Sequence, residues 1–232
     1  MRAFNWEAFL GYLPNLYLLE GVVTTVWLTV AAIAGGFVLG LALALMRASA
    51  LRPVSAAATF YVWAFRGTPL LIQLIIIYTG LPRLGIKFNV IESALLGLIL
   101  NEAAYLSEII RAGFVAVPKG QTEAARSLGL SKFHILRFVT LPQAMRLIVP
   151  PLGNSVNSLL KATSITSVIS MEELLRRGQV LIQLRFEVLE IFAVCAIYYL
   201  VLTSIWDVIQ RRIEDRYGRA YGDKAAVKRD HN

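Results

Sequence analysis

From Gly21 to Met46 the chain runs 26 residues without a charge. That run decides the solvent before any other feature is considered. It is longer than the roughly 7–15 residues of a signal-peptide core, so no removable leader is expected. It suits a helix crossing a bilayer, which needs about 20 residues. In hydrocarbon every backbone N–H and C=O must find a partner within the protein, and a helix supplies all of them locally. The composition extends the argument to the whole chain. Mean hydropathy is +0.62, with 57% hydrophobic and 16% charged residues over 232 positions. A soluble domain of this length carries more charge, and the length suits one domain.

Five membrane helices are expected, at about 21–46, 57–80, 91–113, 143–169 and 188–209. Polar punctuation separates them: Arg47 and Arg52; Gly80, Pro82 and Gly85; Arg111, Pro118 and Lys119; Pro142; and Arg211-Arg212 at the end. A short helix near 171–183 is expected outside the membrane or at its surface. The fold class is therefore an all-α membrane protein. Residues 1–20 form an N-terminal interfacial or periplasmic segment, 21–210 the membrane domain, and 211–232 a basic tail.

The net charge of +8 is read as basic loops beside a membrane, not as a nucleic-acid footprint. With the N-terminus outside, 14 of the 23 Lys and Arg residues fall in cytoplasmic segments and 6 in outer ones. The excess of basic residues on the inner side gives an N-out, C-in orientation, with the tail against lipid headgroups. Cys195 stands alone in an apolar run, which is packing. His134 and His231 are scattered and expected in solvent, so no metal site is assigned. No phosphate-binding glycine loop is present, and no catalytic residue is assigned.

The largest cytoplasmic loop, about 119–141, is short, polar and capped at both ends. Thr122 is expected to cap a helix starting at Glu123, whose charge suits the positive helix end. Gly129 is expected to end it in the left-handed conformation. Ser131 then caps a second helix from Lys132 to about Thr140, and Pro142 opens the next membrane helix. The result is a helix-turn-helix along the membrane face. Read without further information, it is equally a connector resting on headgroups.

Its residue pattern resembles a known family. Glu123-Ala124-Ala125, three residues, Gly129, nine residues, then Val139, one residue and Leu141-Pro142 is similar to the EAA loop of permease subunits of ATP-binding-cassette importers. Val139 stands where isoleucine is commoner. The stretches FRGTPLLIQL (65–74), NEAAYLSEIIRAGF (101–114), VPKGQTEAARSLG (117–129), LPQAMRLIVPPLGNS (141–155) and LLKATSITSVI (159–169) narrow the resemblance to the polar amino acid branch. The stretch IIIYTGLPRLGIKFNVIESALLGLILNEAAY looks most like cystine-type permeases. The chain reads Lys161-Ala162-Thr163-Ser164 where relatives commonly have Asp at the second position, which loosens any carry-over of substrate preference.

The resemblance implies the type I importer permease architecture in a bacterial inner membrane. It implies a second permease subunit, identical or a sister chain, two ATPase subunits, and a periplasmic substrate-binding protein. ATP and Mg belong to the ATPases; this chain needs no cofactor and is a transport subunit, not an enzyme. Gly120, Glu123, Ala124, Ala125, Gly129, Leu141 and Pro142 then form the coupling surface for the ATPase.

Polar residues inside membrane helices mark cavities or partners. On the fourth helix Asn154, Asn157, Ser158, Lys161 and Ser164 fall within a stripe roughly 120° wide at 100° per residue. On the third, Asn101, Tyr105 and Glu108 share a face with Glu102 beside it. Arg66 and Gln73 lie on one side of the second. One reading is a wet cavity for a zwitterion. Lys161 would meet its carboxylate and Glu102 its ammonium, with Gln73, Asn101, Tyr105, Asn157, Thr163 and Ser164 as further contacts. The other is an internal pair, Lys161 with Glu102 or Glu108, plus interhelical hydrogen bonds. Arg66-Gly67-Thr68-Pro69 reads as a helix break, since Pro69 removes a backbone donor and Gly67 permits a bend. Gly36 and Gly40 read as a packing face. An ion-coupled transporter or channel for a small polar solute is the alternative class, but the chain lacks the internal repeat such proteins commonly carry.

Overall fold

The structure, a computed structural model, describes residues 4–226, with side chains as far as Tyr217. Among these residues it is helical throughout, with no strand. The helices are α1 (Trp6–Tyr12), α2 (Leu16–Arg47), α3 (Arg52–Gly67), α4 (Leu70–Ile75) and α5 (Val90–Val115). They continue with α6 (Lys119–Ser127), α7 (Lys132–His134), α8 (Leu141–Ala162), α9 (Leu174–Arg185) and α10 (Val188–Ala226).

Three of them, α2, α5 and the Val188–Tyr217 part of α10, are long and apolar enough to cross a membrane. The bent pair Arg52–Gly67 and Leu70–Leu84 would make a fourth if it counts as one span. The expected second helix, 57–80, is thus not straight. It turns by 105° at the break, at the Arg66–Pro69 stretch singled out in the sequence. Thr68 and Pro69 are extended there, because a residue before proline is pushed out of the helical region. Beyond α4 the chain passes through a widened turn, Ile76–Gly80, and a tight one, Leu81–Leu84, that ends at Gly85 with φ 86°.

The expected fourth helix is also shorter than 143–169. α8 stops at Ala162 and tightens into a 3-10 turn, Thr163–Ile169, closed by Ser170 with φ 64°. Thr163 and Thr166 drive the change, since each hydroxyl donates to a carbonyl three residues back, at 2.8 and 2.7 Å. α10 runs unbroken past 211 to Ala226. Residues 227–232, with His231, lie outside the described residues.

α5 is the hub, packing on α2, α3, α4 and α8. Its closest partner is α2, through the Gly36 and Gly40 face. A Cβ on Gly36 would stand 3.1 Å from the Glu102 Cβ, and one on Gly40 3.0 Å from the Ala103 carbonyl oxygen. Gly40→Val therefore forces the two helices apart. It is expected to cost about 1–3 kcal/mol, seen as a lower apparent melting temperature of the purified chain; an unchanged value would remove this contact from the fold's determinants.

One core joins Leu28, Leu74, Leu98 and Leu159. A second joins Leu18, Leu174, Ile191, Val194 and Cys195. Cys195 is buried there, as packing. α1 is fastened to α10 by polar contacts. The Asn5 N–H donates to Glu190 at 2.7 Å and the Tyr12 hydroxyl to Glu187 at 2.6 Å. Burial, with help from that carboxylate, pushes the Tyr12 phenol up to about 12.

The loop after α5 forms the helix-turn-helix expected for 119–141, with two differences. α6 begins at Lys119, after Pro118, not at Glu123. Thr122 is inside the helix and donates to the Lys119 carbonyl. Gly129 does end it, at φ 78°, and the Leu130 N–H reaches back to the Ala125 carbonyl at 3.2 Å. Ser131 caps the next turn. That turn does not stop at Thr140. It widens over Ile135–Thr140 and flows into α8. Pro142 is the physical cause, as it cannot donate to the carbonyl four residues back. The Gln143 side chain supplies a donor nearby, to the Val139 carbonyl at 3.0 Å.

Candidate functional site

α8 and α5 line a cleft of about 430 Å³. α5 presents Asn101, Glu102 and Tyr105; α8 presents Pro151, Asn154, Ser155, Ser158 and Ala162; Leu70 closes one side from beyond the bend. The α8 residues recur at three- and four-residue spacing, one face of the helix. A second hollow of about 290 Å³ continues along the same groove past Glu108 and Gly113, and Pro151 lines both. A larger depression, about 600 Å³, lies on the outer face of α3 between Phe60, Trp63 and Arg52. Its exposed aromatic rings suit lipid contact.

Glu102 is the exceptional group in the α5–α8 cleft. It is buried, 7% exposed, and among the described residues its Oε1 has no hydrogen-bond partner. The Ser155 hydroxyl across the cleft is close enough to act on the carboxyl. A buried carboxylate oxygen without a donor is costly, and a cation entering the cleft would relieve that cost.

Gln73 and Asn101 are drawn together, with the Asn101 amide donating to the Gln73 Oε1 at 3.0 Å. The Gln73 amide in turn donates to the Phe65 carbonyl at 2.9 Å and to both the carbonyl and hydroxyl of Thr68. These are acceptors at the helix break. Gln73 therefore splints the bend, and its own donors are used there.

The other polar residues of α8 divide. Asn157 turns away from the cleft and donates to Asp207 on α10 at 2.8 Å. Asn154 lines the cleft yet also accepts from Gln210 at 3.3 Å. Lys161 is exposed, outside the cleft lining, and makes no salt bridge with Glu102 or Glu108 among the described residues. Thr163 is fully buried, and its hydroxyl is used on the Leu160 carbonyl; Ser164 likewise bonds the Lys161 carbonyl.

Glu108 is held by Arg47 at 2.5 Å and by Arg111, with Arg66 at 4.0 Å. Sequence reasoning passed over Ser155, Asp207 and this cluster. The i+3 spacing of Glu108 and Arg111 signalled one pair, but Arg47 arrives from 61 residues away. Among the described residues no group of His, Cys, Asp and Glu is placed to hold a metal.

Relatives with this organisation are known. Residues 36–219 match the family described as the inner membrane component of binding-protein-dependent transport systems. The chain is 37% identical over 201 residues to the probable amino-acid ABC transporter permease protein YckA of Bacillus subtilis, covering 87% of this chain and 89% of that one. It is 36% identical to the glutamine transport system permease protein GlnP of Escherichia coli, over 92% of this chain and 97% of that one. It is 37% identical to the arginine transport system permease protein ArgU of Corynebacterium glutamicum, over 93% and 73%. Among solved structures, an amino acid ABC transporter crystallised with histidines superposes at TM-score 0.87 and 35% identity, covering 93% of this chain and all of that one. The MetNI methionine transporter shares the fold, at TM-score 0.71 and 22% identity over 88% of this chain and 98% of that one. This chain belongs to the family of inner-membrane components of binding-protein-dependent transport systems.

Proposed function

We propose that the chain is the permease subunit of an ATP-driven importer of polar amino acids in a bacterial inner membrane. It pairs with a second permease, receives substrate from a periplasmic binding protein, and takes its driving force from two ATPase subunits. The observation that carries the substrate class is the buried Glu102 oxygen without a donor, facing a polar cleft. An α-ammonium group supplies both the charge and the N–H donors that oxygen lacks. Relatives named for glutamine and arginine transport favour those solutes over cystine.

The five-pass, N-out topology belongs to the same reading. α8 is the fourth pass, between α5 and α10. Its prolines and polar face keep its hydropathy low, which suits a helix lining a path instead of lipid. The insert 119–141 is the docking surface for the ATPase. Ala125 is buried against the widened turn, while Glu123 and Ala124 are exposed and Leu128, Phe133 and Phe138 present bare apolar surface. An exposed apolar patch of this kind on a polar insert marks a partner surface.

The test is reconstitution with the ATPase and binding protein, measuring ATP-driven uptake of L-glutamine, L-arginine, L-cystine and L-leucine. Uptake of a polar amino acid that stops without ATP is expected. Glu102→Ala is expected to lower it at least about tenfold, in line with losing a desolvated charge pair. Uptake that follows an ion gradient and ignores ATP would overturn the reading.

A further inference from the structure

The far end of α10 carries two arginines with no internal partner. Arg212 and Arg216 line one hollow of about 550 Å³ together with Ile209, Ile213 and Tyr217. Both are exposed, and among the described residues neither forms a salt bridge or a hydrogen bond. Four residues apart, they share one face of the helix, about 6 Å apart along its axis. Neither neighbouring acid, Glu214 or Asp215, lines the hollow. The Glu214 carboxylate accepts from the Gln210 amide at 2.7 Å.

Towards the membrane the same face is apolar. Ile205, Val208 and Ile209 are exposed. At 100° per residue they lie within about 60° of the arginine pair. The Val188–Tyr217 stretch is long and apolar enough to cross a membrane. About 20 residues of helix cross the hydrocarbon, so a span that starts at Val188 leaves it near Val208. Arg212 and Arg216 then stand at headgroup level, with Tyr217 beside them as an interfacial aromatic. The ligand that fits is apolar along its length and anionic at its end. We infer that this face binds one anionic phospholipid, with its phosphate at the two guanidinium groups and an acyl chain along Ile205 and Ile209. The planar guanidinium fork takes phosphate oxygens in pairs. Two unpaired cations select a net-negative headgroup over a zwitterionic one. A water-soluble partner would leave the apolar stripe below the headgroups unused. The site requires only that the chain sits in a membrane, whatever solute it carries.

The test titrates the full chain in mild detergent with phosphatidylglycerol and with phosphatidylcholine of the same acyl chains. Bound lipids are counted by native mass spectrometry. Wild type is expected to bind one phosphatidylglycerol at least about tenfold more tightly than phosphatidylcholine. The double variant Arg212→Gln/Arg216→Gln is expected to lose that preference, each arginine being worth roughly fivefold. Arg211→Gln removes the same kind of charge about 120° around the helix and is expected to keep it. Size-exclusion profiles and melting temperatures check that the variants stay folded. No preference in wild type, or a preference kept by the double variant, would overturn the assignment. An equal loss in Arg211→Gln would also overturn it, by showing diffuse attraction to a basic helix end. So would self-association of wild type that the double variant abolishes without any lipid preference, which gives the face to a second copy.

Discussion

Glu123→Lys is expected to reduce ATP-driven uptake at least about tenfold while leaving the permease folded. The Glu123 side chain is exposed on α6, and among the described residues its carboxylate has no hydrogen bond or ion pair. Its removal therefore costs the isolated chain little. In the assembled transporter the same carboxylate lies on the proposed ATPase docking face. Reversing a charge inside a packed interface places like charges together or leaves a partner's charge unpaired, at about 2–5 kcal/mol. Two measurements separate the cases. Uptake per ATP hydrolysed in proteoliposomes reports coupling, and the apparent melting temperature of the purified permease reports the fold. Full uptake in the variant would remove Glu123 from the coupling surface. Lost uptake with a lowered melting temperature would make its role structural.

Glu173→Ala is expected to be the most destabilising single change at a polar position. Glu173 is completely buried at the N-cap of α9. Its carboxylate accepts from the N–H of Leu175 at 2.9 Å, from that of Arg176 at 2.7 Å, and from the Tyr199 hydroxyl of α10 at 2.7 Å. Alanine removes a cap, worth about 0.5–2 kcal/mol. It also takes the carboxylate acceptor from the half-buried Tyr199 hydroxyl, at about 1–3 kcal/mol. A total near 3 kcal/mol corresponds to a fall of about 6–12 °C in melting temperature for a chain of this size. Tyr199→Phe removes one donor and leaves the cap, so its effect is expected to be about a third as large. A melting temperature within 2 °C or so of wild type for Glu173→Ala would refute the capping role.

Glu173 also shows where sequence reading stops. In the string Met171-Glu172-Glu173-Leu174 nothing separates the two acids. Glu172 is exposed, near Arg177 at 3.7 Å, while Glu173 is fully buried. Only the crossing of α10 over α9, which brings Tyr199 to the cap, distinguishes them. The polar stripe on α8 gives the same lesson. Asn154 and Ser158 do line the cleft. Asn157 and Lys161, on the same stripe, lie on the edge turned to α10 or away from the cleft. The cleft face is centred about 80° around the helix from the stripe, at 100° per residue. Ser155 and Ala162 look unremarkable in sequence and belong to it.

Local chemistry was readable wherever one residue type had few conformational options. Gly129 beyond α6, Ser131 at its cap, and the Gly67–Pro69 break each stand where their backbone constraints require. The Gly36 and Gly40 face was readable because only small residues admit a neighbouring helix so closely. The break angle was not, since a Cβ at Gly67 would meet no group within 4 Å among the described residues, so no close packing at that glycine sets it. The angle depends on what α4 packs against and on the Gln73 amide that ties it to Phe65 and Thr68. By itself the sequence determined the solvent, the helical class and the capped polar insert, because hydrophobic runs and caps act over a few residues. The tertiary structure alone decided which polar groups meet. Arg47, Arg66 and Arg111 reach Glu108 from three helices, and among the described residues the Glu102 Oε1 is left without a donor, because those distances are set by helix packing and not by spacing along the chain.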